Sequence, residues 1–428
     1  MNPKFFLLNL GCPKNLVDSE KVSLELMRMG FIPSSSPEDS DIVIVNTCGF
    51  IDAARKMTEQ HIREIKQKTK GHLIAMGCYT KIVDKITIPC DFVAENVEET
   101  IQIARSFLPK KDIASPNFKK IKRINTLSKF SAYLKISEGC SRLCSFCSIP
   151  KIRGPIQSFD QRKILDEAKY LVDNGVRELI IISQDTTMWN IDKGGKREDI
   201  FRLLDELSEI NDLEWIRLFY IYPDRFAIRL IDYIANNPKI VRYIEMPFQH
   251  IDDEILMKMA RATRKKLIYE ILENIKNKIP DMSIRTELIV GFPGETDDKF
   301  EELVNFVQIF KFDWLGVFEF SPEKNTPSYR MWKEQNISKK ISHERKKEIM
   351  KVWTKILHEK QKEKIGKIFR CIYESDTTYR AYFQAPEIDG VIKLKNGHDA
   401  NTINSQSPFR NIIIEDIEDE NLIGSFVV

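Results

Sequence analysis

Three short, mostly apolar runs open the chain: Phe5–Leu10, Asp41–Thr47 and His72–Gly77. Each is too short for a core helix and each runs into a cysteine, Cys12, Cys48 or Cys78. Between them, Ser19–Met29 and Ala53–Thr69 carry apolar residues at helical spacing with polar ones between. The pattern predicts strand, helix, strand, helix, strand, hence a parallel sheet with right-handed crossovers. The carboxyl ends of parallel strands share one edge, where ligands bind. Three cysteines 36 and 30 residues apart are therefore expected to converge. Gly11, Gly49 and Gly77 beside them read as room for backbone to turn around a bulky ligand. The plainer reading is three small hydrophobes closing strand ends.

A second alternation begins near Ser131. Strands are expected at Ala132–Ile136, Glu178–Ser183, Trp215–Ile221, Tyr243–Pro247, Ser283–Val290 and Trp314–Phe320, with helices between them such as Ile164–Asn174 and Lys299–Phe310. Six β/α units fit a partial (β/α)6 TIM-type barrel, in which function gathers at the carboxyl ends of the strands. Cys140, Gln184–Asp185, Tyr222, Gln249–His250 and Gly291–Gly294 all fall there. A Lys/Glu-rich helix over Ser338–Lys364, with Ser338 as N-cap, follows. Beyond Gly366 the short β-branched runs Ile368–Tyr373, Gly390–Leu394, Asn411–Ile414 and Ile423–Val428 predict a small all-β barrel. The fold class is α/β, with a parallel α/β domain at 1–108, a Lys-rich linker at 109–130, a barrel at 131–362 and the β domain at 363–428.

Composition narrows the class. Hydrophobic residues at 42% and charged ones at 30% fit a globular chain of several domains. The run Phe5–Leu10 is too short for a signal h-region, so no membrane association and a cytoplasmic location are expected. In that reducing compartment eight cysteines read as metal ligands rather than disulfides. A net charge of +3 creates no global field for nucleic acid. From Gly366 onward ten Asp/Glu face six Lys/Arg, and the acidic runs Pro386–Asp389 and Glu415–Glu420 read as a negative surface.

The densest chemistry is Cys140-Ser-Arg-Leu-Cys144-Ser-Phe146-Cys147, three thiols at C-x-x-x-C-x-x-C spacing just after the first barrel strand. Three thiolates can hold three irons of a cubane cluster, and without a fourth cysteine nearby one iron stays open to substrate or cofactor. A structural zinc site would require a second ligand arm, and none follows Cys147. Cys90 and Cys371 have no partners at ligand spacing and read as ordinary thiols.

An aromatic just before the third cysteine, here Phe146, resembles the radical S-adenosylmethionine (SAM) superfamily. Together with the Cys12, Cys48 and Cys78 set and the C-terminal β domain, the whole chain resembles the radical SAM methylthiotransferases. The segments Leu10–Glu20, Met246–Glu254 and Ala385–Gly390 are similar to the RimO-type branch, which modifies an aspartate of ribosomal protein uS12. Phe248 departs conservatively from that branch's usual Leu or Ile. The resemblance implies two 4Fe-4S clusters, an auxiliary one on Cys12, Cys48 and Cys78 and one on Cys140, Cys144 and Cys147 that chelates and reductively cleaves SAM. It implies a TRAM domain at the C-terminus, with uS12 or the small ribosomal subunit as partner. It implies an electron donor such as flavodoxin or ferredoxin, and a monomer. Phe146 would lie beside adenine. By strand-end position and resemblance, Ser183, Gln184, Arg217 and Glu287 are candidate SAM contacts; each could equally satisfy barrel-interior groups. His250 is as readily a structural hydrogen-bonder as a contact. Two other functions fit less well: a tRNA adenosine methylthiotransferase, which calls for a basic tail, and a non-catalytic zinc-bearing RNA-binding protein.

Overall fold

A computed structural model describes residues 2–83, 87–108, 118–324, 326–395, 397 and 407–427. Residues 109–117 of the expected linker lie outside them. The chain forms two compact units. The first holds residues 1–127, 138–141 and 148–155, the second 128–137, 142–147 and 156–428.

In the first unit the strands β1 (Lys4–Asn9), β2 (Ile32–Pro33), β3 (Ile42–Thr47), β4 (His72–Gly77) and β5 (Phe92–Val93) form one parallel sheet in the order β2-β1-β3-β4-β5. β3 is buried along its whole length, as a central strand covered on both faces should be. Phe5, Val22, Leu26 and Ile44 fill one side, and Val43, Val45, Ile62 and Leu73 the other. The first helix is longer than its periodicity indicated. It spans Pro13–Arg28 rather than starting at Ser19, because Pro13 takes the first helical position, where a missing N–H costs nothing. Cys12 thereby becomes the N-cap residue.

In the second unit β6 (Ser131–Lys135), β9 (Glu178–Ile182), β10 (Trp215–Leu218), β11 (Ile240–Glu245), β12 (Ser283–Val290) and β13 (Trp314–Glu319) make a six-stranded all-parallel sheet in sequential order. The numbers between belong to two short strands, β7 (Ser137–Glu138) and β8 (Gln157–Ser158). Every strand of the six overlaps an expected one, with ends that differ by up to three residues: β10 stops three residues short, at Leu218, and β11 begins three residues earlier, at Ile240. The helix Lys339–Lys362 starts at the expected cap, where Ser338 accepts a hydrogen bond from the Ile341 amide.

The C-terminal strands β14 (Ile368–Ser375), β15 (Thr378–Ala381), β16 (Ile392–Leu394), β17 (Phe409–Glu418) and β18 (Asn421–Phe426) close into a barrel in the order β14-β15-β16-β18-β17. β15 carries no apolar run and was not foreseen; it is specified by pairing with β14 and β16.

Residues 382–389, between β15 and β16, reach the amino-terminal part of the six-stranded sheet. The Phe383 carbonyl accepts from Trp314 Nε1 at 2.6 Å and Ser283 Oγ at 3.1 Å. Asp389 accepts from Arg285 at 2.6 Å and Tyr243 Oη at 2.9 Å, and Glu387 accepts from Tyr133 Oη at 3.0 Å. Of the acidic run Pro386–Asp389, Asp389 is therefore withdrawn from the surface by its ion pair with Arg285, whereas Glu387 stays exposed while accepting from Tyr133. Glu415 and Glu418 are exposed but face Lys395 and Lys393.

Beside this segment Glu178, fully buried, takes ion pairs from Arg217 and Arg380 and a hydrogen bond from Ser131. Burial alone would raise its pKa, but Arg380 and Arg217 outweigh that and lower it to about 2 from an ordinary 4.5. A carboxyl with a depressed folded pKa contributes stability that is complete above its unfolded pKa and lost as pH falls through the folded one. Here that window runs from pH 4.5 down toward about 2. Glu178→Gln leaves Arg217 buried without its carboxylate and Arg380 with Glu374 alone, and should cost about 3–5 kcal/mol at neutral pH. The penalty should shrink as the wild type is acidified through that window. Urea titrations of both proteins across the pH series check this, and equal midpoints throughout would refute the role given to Glu178.

Candidate functional site

The parallel order of the first unit sets Cys12, Cys48 and Cys78 just past the ends of β1, β3 and β4. Cys12 and Cys78, far apart in sequence, both point a thiol at the same oxygen, Asn15 Oδ1, at 3.7 and 3.8 Å. Cys48 lies within electrostatic reach of both. Cys12 is exposed, Cys48 half-buried and Cys78 buried, so the set has an open end and a closed end. Among the described residues no three His, Cys, Asp or Glu side chains are yet drawn to metal-holding distance.

Asn15 is fixed from the opposite side. Its Nδ2 donates to Asn46 Oδ1 at 3.0 Å and the Thr47 carbonyl at 3.1 Å, while Asn46 Nδ2 returns a bond to the Asn15 carbonyl at 2.8 Å. The neighbouring glycines serve this arrangement rather than a ligand. A Cβ at Gly11 would sit 2.3 Å from Asn15 Nδ2, and one at Gly77 (φ +103°) 2.4 Å from Asn46 Oδ1.

Arg153 enters the same cluster. Its Nε donates to Cys78 Sγ at 3.4 Å, Nη2 to Asn15 Oδ1, and Nη1 to Asp18 Oδ2 at 2.9 Å. Burial raises the Cys78 thiol pKa, and the Arg153 charge opposes that rise. Burial also raises Cys48, against hydrogen bonding from the Phe50 and Gly49 amides. Dehydrated thiols with little counter-charge are suited to a cationic metal, which supplies the charge that water does not. The donor set of three sulfurs thus fits an iron–sulfur cluster.

In the second triad, Cys140 falls with the first unit and Cys144 and Cys147 with the second. The Cys147 amide donates to the Cys144 carbonyl at 3.1 Å, a tight turn that keeps the two sulfurs local. Arg261 Nη1 lies 3.8 Å from Cys144 Sγ. Arg142, between Cys140 and Cys144, bonds to Asp185 at 2.7 Å and Asp224 at 3.0 Å, residues that follow β9 and β10. Tyr222 is stacked between the Arg142 and Arg261 guanidiniums, 3.9 and 4.2 Å from its ring centre. The cysteine loop is therefore pinned to the carboxyl edge of the six-stranded sheet.

The expected SAM contacts divide. Phe146 packs on Ile255, Met259, Ile289 and Phe292. Ser183 is buried immediately after β9, with Gln184 beside it. Glu287 accepts from Arg285 Nε at 3.2 Å and keeps its second oxygen buried without a hydrogen-bond partner among the described residues. Arg217 departs from this group. Its guanidinium turns toward the amino-terminal end of the sheet, to Glu178 at 2.9 Å and the Tyr382 carbonyl at 2.8 Å. The cause is that β10 ends at Leu218, and the buried carboxylate at the start of β9 is the nearest counter-charge. His250 is fully buried, with Nδ1 accepting from the Asp252 amide at 3.0 Å and burial lowering its pKa to about 3. Cys371 is buried in the C-terminal barrel and Cys90 half-buried. Sequence reasoning missed Asn15, Arg142, Arg153 and Arg261; proximity to a cysteine motif marks Asn15, Arg142 and Arg153, whereas nothing local marks Arg261.

Three family models match the chain: one described as "Uncharacterized protein family UPF0004" over residues 4–88, the "Radical SAM superfamily" over 134–307, and the "TRAM domain" over 365–427. Among curated proteins, the chain is 38% identical over 410 residues to "Ribosomal protein uS12 methylthiotransferase RimO" of Aquifex aeolicus, covering 92% of each chain. The protein of the same name from Sulfurihydrogenibium sp. is 39% identical, with 94% of each covered. That from Acetivibrio thermocellus is 35% identical, with 100% of this chain and 99% of the other covered. Among solved structures, the radical S-adenosylmethionine methyltransferase TsrM of Kitasatospora setae superposes with a TM-score of 0.55 at 12% identity, over 77% of this chain and 74% of the other, a likeness of fold.

Two triads on separate elements should load independently. Anaerobic reconstitution should give about eight irons per chain for two cubanes. The combined Cys140→Ala, Cys144→Ala, Cys147→Ala variant should keep about half, as should the Cys12, Cys48, Cys78 counterpart. Full retention or complete loss in either would defeat the two-site arrangement.

Proposed function

The chain belongs to the ribosomal protein uS12 methylthiotransferase family, and we propose that it transfers a methylthio group to the β-carbon of an aspartate of uS12, with Cys12, Cys48 and Cys78 holding one 4Fe-4S cluster and Cys140, Cys144 and Cys147 the other. The observation that carries this reading is the pair of cysteine triads, each at the carboxyl edge of its own parallel sheet.

Hydrogen abstraction from an unactivated carbon is beyond any acid or base side chain at neutral pH. When bound, SAM and the two clusters supply the radical and the sulfur-bearing unit that this reaction needs. The protein's own task is placement. Arg142, held by Asp185 and Asp224, fixes the cysteine loop over the sheet edge. Phe146, Ser183, Gln184 and Glu287 are assigned to SAM: an aromatic face for adenine, a hydroxyl and an amide for the ribose and methionine groups, and an unsatisfied carboxylate oxygen for a donor. Arg217 is left out of that set, since its charge is neutralised at the other end of the sheet.

The partners follow from the chemistry. A low-potential one-electron donor of the flavodoxin or ferredoxin type would reduce the Cys140 cluster, and uS12, free or in the small subunit, would be the substrate. Among the described residues no helix is long and apolar enough to cross a membrane. A cytoplasmic location accords with a ribosomal substrate.

The variant Cys12→Ala, Cys48→Ala, Cys78→Ala should still cleave SAM under dithionite yet leave uS12 unmodified. Mass spectrometry of uS12, with quantified 5′-deoxyadenosine, reads both outcomes together. Methylthiolated uS12 from that variant would remove the first unit from sulfur transfer. A thiomethylated tRNA adenosine with untouched uS12 would replace the substrate assignment.

A further inference from the structure

Within the first unit Arg153 and its neighbour Gly154 reach both Cys78 and the backbone of Cys140. It ends the short helix Ile149–Arg153, six residues beyond Cys147, yet its side chain lies on Cys78, 75 residues upstream. The next residue, Gly154, accepts a 3.0 Å hydrogen bond at its carbonyl from the Cys140 amide. A Cβ at Gly139 would come 2.7 Å from that carbonyl and 2.1 Å from the carbonyl of Pro155, so Gly139 is what lets the Cys140 backbone lie this close. One dipeptide thus holds a sulfur of one triad by its side chain and the backbone of the other triad by its carbonyl.

The guanidinium is also over-determined. Asp18 at 2.9 Å and Glu138 at 3.4 Å share Nη1, and Asn15 holds Nη2, leaving Nε aimed at Cys78. Three donors of one planar fork are used at once, which a lysine ammonium cannot reproduce. Arg153 contacts the buried member of the triad, Cys78, where a charge is least screened.

We infer that Arg153 is a positioning residue of the Cys12, Cys48, Cys78 centre: its N–H to the Cys78 sulfur raises that cluster's reduction potential. The inference rests on the reading that these three cysteines hold a cluster. A cation and an N–H···S bond both stabilise the more negative, reduced state of a cluster, so removing them shifts the potential downward. A lowered potential at this centre would separate SAM cleavage from product formation.

The test uses the full chain carrying Cys140→Ala, Cys144→Ala and Cys147→Ala, so that one cluster remains. Its potential is measured by EPR-monitored redox titration for Arg153, Arg153→Lys and Arg153→Gln. The expected order is Arg highest, Lys intermediate and Gln lowest, with iron content unchanged. In the background with all cysteines intact, both variants should release more 5′-deoxyadenosine per methylthiolated uS12 than wild type. Equal potentials with iron retained would overturn the inference; if the Gln variant loses its iron, a Lys variant matching wild type in both potential and product ratio would overturn it. Persistence of the EPR signal when Cys12, Cys48 and Cys78 are also changed to Ala would instead refute the ligand assignment and leave Arg153 without a centre to tune.

Discussion

A carboxylate with no access to water, Glu178, neutralised by two guanidiniums equally removed from it, is the constraint around which the second unit is arranged. One of those arginines, Arg217, belongs to the six-stranded sheet and the other, Arg380, to the C-terminal barrel. Without Glu178 the Arg217 charge would be buried unpaired and Arg380 would keep only Glu374, and an unpaired buried ion costs several kcal/mol. The barrel therefore cannot leave the sheet without exposing a charge imbalance on both sides. The same segment adds Asp389 with Arg285 and Tyr243, a second neutralised set. Ionic pairing of this kind yields little net stability over an apolar seam, but it specifies one docking geometry. It also occupies the amino-terminal end of the strands with structure, which leaves the carboxyl edge for chemistry.

The order of elements was legible because its signal is periodic. Six barrel strands and the three long strands of the first unit announced themselves as apolar runs between helical patterns, whereas the two-residue edge strands β2 and β5 did not. What the pattern did not carry was pairing-dependent. β15 has no apolar run and exists because its neighbours offer hydrogen bonds. The first helix began six residues earlier than its periodicity, because Pro13 favours a helix start without contributing to an apolar face.

The cysteine triads were legible in the sequence, and the side chains that touch them were not. Cysteines are rare enough that their spacing is informative, whereas arginines are common and their direction is fixed by counter-charges remote in sequence. Arg217 illustrates the failure: a strand position suggested a ligand contact, and a carboxylate at the start of the adjacent strand turned it the other way. Arg153 illustrates the converse, an unremarked residue brought to Cys78 by folding alone. Charge counts failed for the same reason. The run Pro386–Asp389 counts two carboxylates in sequence but leaves only Glu387 to the surface field, since Asp389 is buried and paired with Arg285. Preference for a basic protein over RNA cannot rest on that run, and rests instead on membership of the family.

Cysteine ligands impose a charge problem that the two units meet alike. Several thiolates near one another repel, and burial increases the cost of each. In the first unit the response is Arg153 at the closed end of the triad, with Cys12 left toward water. In the second it is Arg261 beside Cys144, stacked on Tyr222, which in turn carries Arg142. In each case the cation is immobilised by groups other than the sulfur: Asp18, Glu138 and Asn15 for Arg153, and the Pro247 carbonyl and Tyr222 ring for Arg261. A cation held in this way need not reorganise when the charge on the sulfurs changes, so it favours the reduced state without adding to the cost of reaching it. Both sheets thus carry cysteine sulfur at their carboxyl edge beside an arginine whose remaining donors are fixed by other groups of the protein.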